Sequence, residues 1–95
     1  MTNEKIEMIQ SRIEIQKVSL EEAQERLNLT DNQREEAEEE LERRENEVNN
    51  EEDEFALGGL YKELHQYIKR LEEQQEMIAQ IKSELNFLEM MLLIK

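Results

Sequence analysis

Residues 57–92 read LGGLYKELHQYIKRLEEQQEMIAQIKSELNFLEMML, and this stretch carries an unbroken seven-residue apolar repeat. The repeat has two rows, one at every seventh residue and a second row three residues further on. The first row comprises Leu57, Leu64, Leu71, Ile78, Leu85 and Leu92, and the second comprises Leu60, Tyr67, Gln74, Ile81 and Leu88. On an α-helix such a repeat forms one apolar stripe, which is stable in water only when another helix covers it. The stretch therefore predicts one helix of a coiled coil.

A second seven-residue repeat occupies the first half of the chain. Its members are Ile6, Ile13, Leu20, Leu27, Arg34, Leu41, Val48 and Phe55, with Arg34 as the one polar residue. The two repeats change phase between Phe55 and Leu57, which indicates two separate helices. The chain has no proline, and Gly58 and Gly59 are its only glycines, so little interrupts either helix.

The composition is that of solvated helices rather than of a self-contained globule. Hydrophobic residues make up 37% of the chain and charged residues 39%, whereas globular domains average about 45–50% and about 25%. Two helices alone share one narrow interface, which buries too little surface for comfortable stability in a small chain. We therefore expect oligomerisation or a protein partner.

The turn between the helices has two candidate positions. Asn49-Asn50 follows basic residues suited to a helix C-terminus and precedes acidic residues suited to a helix N-terminus. Gly58-Gly59 is the competing position, since paired glycine readily interrupts a helix. Helix lengths favour a turn at 49–54, because a turn there places Lys95 opposite roughly residue 5 at helical spacing. A turn at 58–59 would leave the apolar segment 6–20 uncovered.

The favoured turn brings the two apolar ends of the chain together. It places Phe87, Leu88, Met91, Leu92 and Ile94 beside Ile6, Ile9, Ile13 and Ile15. The predicted fold is all-α, a long antiparallel helical hairpin (coiled coil) within a dimeric or larger helical bundle. We expect a single domain over 1–95, with a helix at about 4–48, an acidic turn region at about 49–59 and a helix at about 60–95. The alternative is one unbroken helix of about 140 Å in a parallel dimer.

Catalysis and cofactor binding are not expected. The chain has one histidine and no cysteine or tryptophan, so it lacks the converging polar groups of a shielded active site. Glu63 is two residues from His65, which does not match the Glu-x-x-His spacing of metal-binding helical bundles. Gly58 and Gly59 do not fit the phosphate-loop pattern. We predict a non-enzyme without metal, cofactor or small-molecule substrate.

Net charge limits the partners that this chain can bind. The chain carries −13 overall, and residues 1–56 hold 19 acidic and 7 basic side chains. Such a field repels DNA, RNA and anionic lipid, so direct nucleic-acid binding is not expected. No apolar segment reaches the roughly 20 residues of a membrane span, and nothing resembles a secretory signal. A soluble, cytoplasmic protein is the expectation.

The function predicted from the sequence is that of a structural or adaptor coiled-coil protein. It would act through helix–helix contacts with protein partners, in a homo- or hetero-oligomeric assembly. The predicted interaction residues are Ile6, Ile9, Ile13, Leu57, Leu64, Leu71, Ile78, Ile81, Leu85, Leu88 and Leu92.

An alternative function follows from the acidic run at 35–54. An acidic helical inhibitor could present carboxylates where a nucleic-acid-binding protein expects phosphates. The effect of ionic strength on partner binding distinguishes the two functions. Binding by electrostatic mimicry weakens steeply as ionic strength rises, whereas binding through a heptad interface does not.

Overall fold

The computed structural model describes residues 2–94, which form an all-α helical hairpin. Helix α1 spans Asn3–Glu45 and helix α2 spans Glu51–Leu93. The predicted all-α helical hairpin is therefore confirmed. Lys95, the last residue of the predicted second helix, lies outside the described residues, as does Met1.

The turn occupies residues 46–50, and its side chains explain why α2 begins where it does. Asn50 is the N-cap of α2, since its side-chain Oδ1 accepts a hydrogen bond from the Asp53 backbone N–H at 2.9 Å. The Asp53 carboxylate in turn accepts a hydrogen bond from the Asn49 backbone N–H at 3.1 Å. These bonds satisfy backbone donors at the turn and the helix start that have no partner within the helix. Four acidic residues in the first turn of α2 also complement the helix dipole.

The helix bounds differ from the predicted ones around this turn. Helix α1 ends at Glu45, three residues before the predicted end, and α2 begins at Glu51, nine residues before the predicted start. Helix therefore covers 51–59, where an acidic turn region was predicted. Gly58 and Gly59 are helical, and neither has a positive φ angle. The asparagine cap decides the helix start, and two glycines inside a long helix only lower its stability.

The chain forms two compact units, which are described separately. Unit 1 combines Met1–Arg26 with Gln74–Lys95. Its core consists of Ile9, Ile13, Leu85 and Leu88, with Leu20, Ile81, Met91 and Leu92 packed against them. Burial of each large aliphatic side chain contributes about 1.5–3 kcal/mol before entropy is subtracted. The antiparallel pairing of the two apolar ends is therefore confirmed.

Unit 2, Leu27–Glu73, contains the turn and is packed more thinly. Thr30 and Leu41 are its buried residues, and Arg34 and Ala37 occupy half-buried positions between them. Small and polar side chains at these heptad positions bury less apolar surface than the isoleucines and leucines of unit 1. We therefore expect most of the packing energy to come from unit 1.

Candidate interaction surface

The residues predicted to mediate interaction line the heptad seam of the hairpin itself. Ile9, Ile13, Ile78, Leu85 and Leu88 are buried. The other six are half-buried: Ile6, Leu57, Leu64, Leu71, Ile81 and Leu92. The side chains of the unit 1 core contact one another within the chain. Any contact with a second molecule must therefore use surface outside this core as well.

A polar cluster on one side of unit 1 joins α1 to α2. The Glu84 carboxylate accepts a hydrogen bond from the Arg12 side chain at 2.9 Å and another from the Gln16 amide at 2.6 Å. Arg12 and Glu84 also form an ion pair at 2.8 Å, with side chains 61% and 36% exposed. A pair this exposed adds little stability. Its importance is geometric, because it marks one exposed side of the helix pair, next to the buried seam.

Large apolar side chains lie along that same side of unit 1. Residues three, four or seven positions apart share one face of a helix. By this spacing Met8 and Ile15 lie beside Arg12. Met77 and Phe87 likewise lie on the Glu84 side of α2, and we group with them Ile94, which directly follows the end of this helix. We call these five residues the apolar flank.

Each residue of the apolar flank is more than half exposed. The exposed fractions are 71% for Met8, 63% for Ile15, 54% for Met77, 62% for Phe87 and 76% for Ile94. The sequence predicts Ile15, Phe87 and Ile94 to lie where the two apolar chain ends cover each other, and the structure instead leaves all three more than half exposed. The seam contains every third or fourth residue of each helix, and these three residues are not at seam positions.

The opposite side of unit 1 has a different character. Residues two, five or nine positions from Arg12 in α1, or from Glu84 in α2, lie on the far side of the helix and face away from this ion pair. Those residues are Glu7, Gln10, Glu14, Lys17 and Glu21 of α1, and Gln75, Ala79, Lys82, Asn86, Glu89 and Leu93 of α2. All are exposed. Leu93 is the one large apolar side chain in this set, and the exposed residues Val18 and Met90 belong to neither side.

An open groove at the chain ends adjoins the apolar flank. It is lined by Thr2, Lys5, Met8, Ile9 and Met91. Ile9 belongs to the core of unit 1, yet the groove reaches it from this side. Even the buried aliphatic side chains of the chain keep 7–9% of their surface exposed. The core of unit 1 is thus open to solvent at Ile9, next to Met8 of the apolar flank.

Unit 2 carries most of the charge. It contains 16 acidic and 6 basic residues, a balance of −10, whereas unit 1 contains 9 and 6, a balance of −3. Within unit 2 the Arg34 side chain pairs with Glu38 at 2.8 Å and with Asp31 at 2.9 Å, and these hydrogen bonds raise the pKa of Arg34. The Tyr61 hydroxyl donates a hydrogen bond to Glu45, which raises the pKa of Tyr61. These contacts lie within the unit.

Other kinds of site have little support among the described residues. Within residues 2–94, no three His, Asp or Glu side chains are close enough together to hold a metal ion. His65 is exposed. Neither helix, over the same residues, contains a stretch long and apolar enough to cross a membrane.

Comparison of the chain with protein-family models, curated proteins and solved structures finds no match. The function is therefore inferred from the residues of the chain itself.

Proposed function

We propose that this protein is a structural or adaptor coiled-coil protein that works through helix–helix contacts in a larger assembly. Unit 1 would be the part that binds a protein partner. The observation that carries the proposal is the apolar flank, which exposes five large apolar side chains on one side of unit 1. Apolar surface gathered in one patch on a soluble protein is typical of a protein–protein contact.

The stability of a two-helix seam supports the same function. Two helices cover each other along one stripe, and small scaffolds of this kind generally need additional contacts to remain folded. A partner that binds only the folded state stabilises that state by mass action. Binding at unit 1 would therefore both cover exposed apolar surface and hold the hairpin together.

The charge of unit 2 suits a part that remains in solvent. A balance of −10 over its 47 residues keeps this segment hydrated and repels nucleic acid and anionic lipid. Under this proposal the protein acts inside the cell, in the cytoplasm, without direct nucleic-acid binding or a small-molecule substrate.

One observation favours a second candidate function. The carboxylates of Glu35, Glu36, Glu39, Glu42, Glu51, Glu52 and Glu54 are exposed. An inhibitor that mimics nucleic acid would use these carboxylates to occupy the phosphate-binding surface of a basic protein.

The test is the native size of the tagged protein in lysates of the cells of origin. Size-exclusion chromatography is run at low salt and again at several-fold higher salt. We expect the protein to elute in a complex much larger than its 11.5-kDa chain at both salt concentrations, because an apolar helix interface is barely screened. A complex seen only at low salt would support the inhibitor. Elution as a lone chain under both conditions would contradict both functions.

A further inference from the structure

We propose that a second copy of this chain covers the apolar flank, so that two copies of unit 1 form a four-helix bundle. This inference rests on the proposed function and identifies the partner. Four features of unit 1 support a second copy: the arrangement of the exposed apolar residues, their area, the charges among them, and the incomplete cover of the seam.

The arrangement of the flank calls for a partner that presents two helices. Met8 and Ile15 come from α1, and Met77 and Phe87 come from α2, with Ile94 just past its end, so the exposed residues form two rows with the Arg12–Glu84 ion pair between them. A single added helix would contact only the surface between these rows and would leave their outer edges exposed to solvent. A second copy presents two rows of the same length. Closed two-fold pairs of identical surfaces are the commonest form of protein oligomer.

The area of the flank is of the size that a stable dimer needs. Five large side chains, each more than half exposed, leave on the order of 500 Å² of apolar surface per chain. That value lies at the upper end of the largest patch on an ordinary monomer, which is about 300–600 Å². Two copies together would bury about 1,000 Å² of apolar surface, before the neighbouring polar residues are counted. Specific interfaces bury about 1,200–2,000 Å² in total.

The charges of unit 1 permit two copies to meet. Unit 1 carries a balance of −3, whereas unit 2 carries −10. The apolar flank is bordered by both signs of charge, with Glu4, Lys5 and Arg12 on α1 and Glu84, which pairs with Arg12, on α2. Two such borders can place cations of one copy near carboxylates of the other, so association is not opposed by like charge at the contact.

A second copy would also complete the core. The groove beside the flank reaches Ile9, and the core side chains of unit 1 remain 7–9% exposed. In a four-helix bundle, side chains at these positions are enclosed by neighbouring helices. Covering the flank would therefore convert the open seam of one hairpin into the interior of a bundle.

Sedimentation equilibrium of the purified full chain tests this inference. Chain concentrations from about 1 to 100 µM cover micromolar association. We expect a species of twice the 11.5-kDa chain mass. Ile15→Glu and Phe87→Glu should each raise the dissociation constant on the order of 100-fold or more, because burying an unpaired carboxylate is strongly unfavourable.

Two control variants place the same charge on the opposite side. Leu93→Glu replaces an apolar residue that is 84% exposed, and Asn86→Glu changes the residue next to Phe87. Both should leave the dissociation constant within about 3-fold of wild type, since surface substitutions away from a contact have small effects. If the two control variants dissociate while the Ile15→Glu and Phe87→Glu variants remain dimeric, the inference is overturned.

A second measurement avoids variants that fail to fold. The chain has no cysteine, so Ile15→Cys, Phe87→Cys and the control Glu14→Cys each introduce one thiol. Its labelling rate is measured at increasing chain concentration. Labelling of the cysteines at positions 15 and 87 should slow several-fold as the chain dimerises, and labelling at position 14 should not. Equal rates at all three positions would overturn the inference.

The two proposals fail in different ways. A wild-type chain that is helical and monomeric at the highest concentration overturns the second copy as partner. If the same chain elutes from lysates in a large, salt-resistant complex, the adaptor function stands with a different partner. A lone chain in both experiments contradicts both proposals.

Discussion

Replacing both glycines of α2 by alanine should stabilise the protein, because Gly58 and Gly59 lie inside the helix. Neither glycine has a positive φ angle, and a Cβ atom added at either position would meet nothing within 4 Å. Alanine therefore fits both positions without strain. Its advantage is that the unfolded chain loses less backbone entropy on folding into a helix.

The expected gain follows from helix propensity. Glycine is about 0.8–1.0 kcal/mol less favourable than alanine in a helix interior, so Gly58→Ala with Gly59→Ala should gain about 1.5–2 kcal/mol. A change of 1 kcal/mol shifts the melting temperature of a domain of this size by about 4–8 °C. The double variant should therefore melt at a temperature at least several degrees above that of the wild type.

Circular dichroism at 222 nm, followed during heating and urea titration, measures this change. All chains are compared at one concentration, because association alters the melting temperature. Ala56→Gly is the matched control, since Ala56 is an exposed residue of the same helix, and this substitution should cost about 1 kcal/mol. A double variant that is no more stable than the wild type would refute a continuous helix through 58–59.

Three further predictions concern the core, the cap and the alkaline pH range. Leu85→Ala removes a core side chain of unit 1 that is 8% exposed and should cost about 2–4 kcal/mol in urea unfolding; a cost under about 0.5 kcal/mol would contradict its burial. Asn50→Ala removes the N-cap of α2 and should cost about 1 kcal/mol, whereas Asn50→Asp should retain most of the stability. The hydrogen bond to Glu45 raises the pKa of Tyr61 above its usual 10.0, so this bond stabilises the fold below pH 10 and is lost as pH rises through the higher folded pKa. In a Tyr67→Phe background, ultraviolet titration should show that Glu45→Gln lowers the pH at which Tyr61 ionises, and an unchanged midpoint would contradict the bond.

The sequence was sufficient to predict the fold because the heptad repeat maps directly onto burial. Leu57, Leu64, Leu71, Ile78, Leu85 and Leu92 are all buried or half-buried. Helix length favoured a turn at 49–54 over one at 58–59, since an antiparallel pair must cover both apolar ends. Both inferences follow from regular helix geometry, which depends little on the particular side chains.

The exact start of α2 could not be predicted, because two local signals compete there. Asn50 is a strong N-cap residue, while Gly58-Gly59 weakens helix several residues later. The capping bonds between Asn49, Asn50 and Asp53 decide the outcome. Their geometry depends on how the chain reverses, which no repeat in the sequence specifies.

The membership of the apolar flank could not be predicted, since the sequence does not separate seam residues from their neighbours. Ile15 and Phe87 are as hydrophobic as the core residues Ile13 and Leu85, but each lies two residues further along its helix and about 200° around it. The register between α1 and α2 decides which of them is covered. The positions of Met8 and Ile15 beside the heptad row of α1 indicate a wide apolar surface, but they do not tell which of its residues the second helix covers.

The pairing of α1 with α2 in unit 1 is the central claim, and a designed disulfide tests it most directly. Leu92 packs against the core that contains Ile9, so Ile9→Cys with Leu92→Cys should oxidise to a bond within one chain. Mass spectrometry and non-reducing electrophoresis at low chain concentration distinguish this bond from one between chains. Ile9→Cys with Ile78→Cys is the control, because four helical turns, about 21 Å, separate Ile78 from Leu92 along α2. Efficient intrachain bonding of the first pair alone is the predicted result, and bonds formed only between chains would contradict the hairpin.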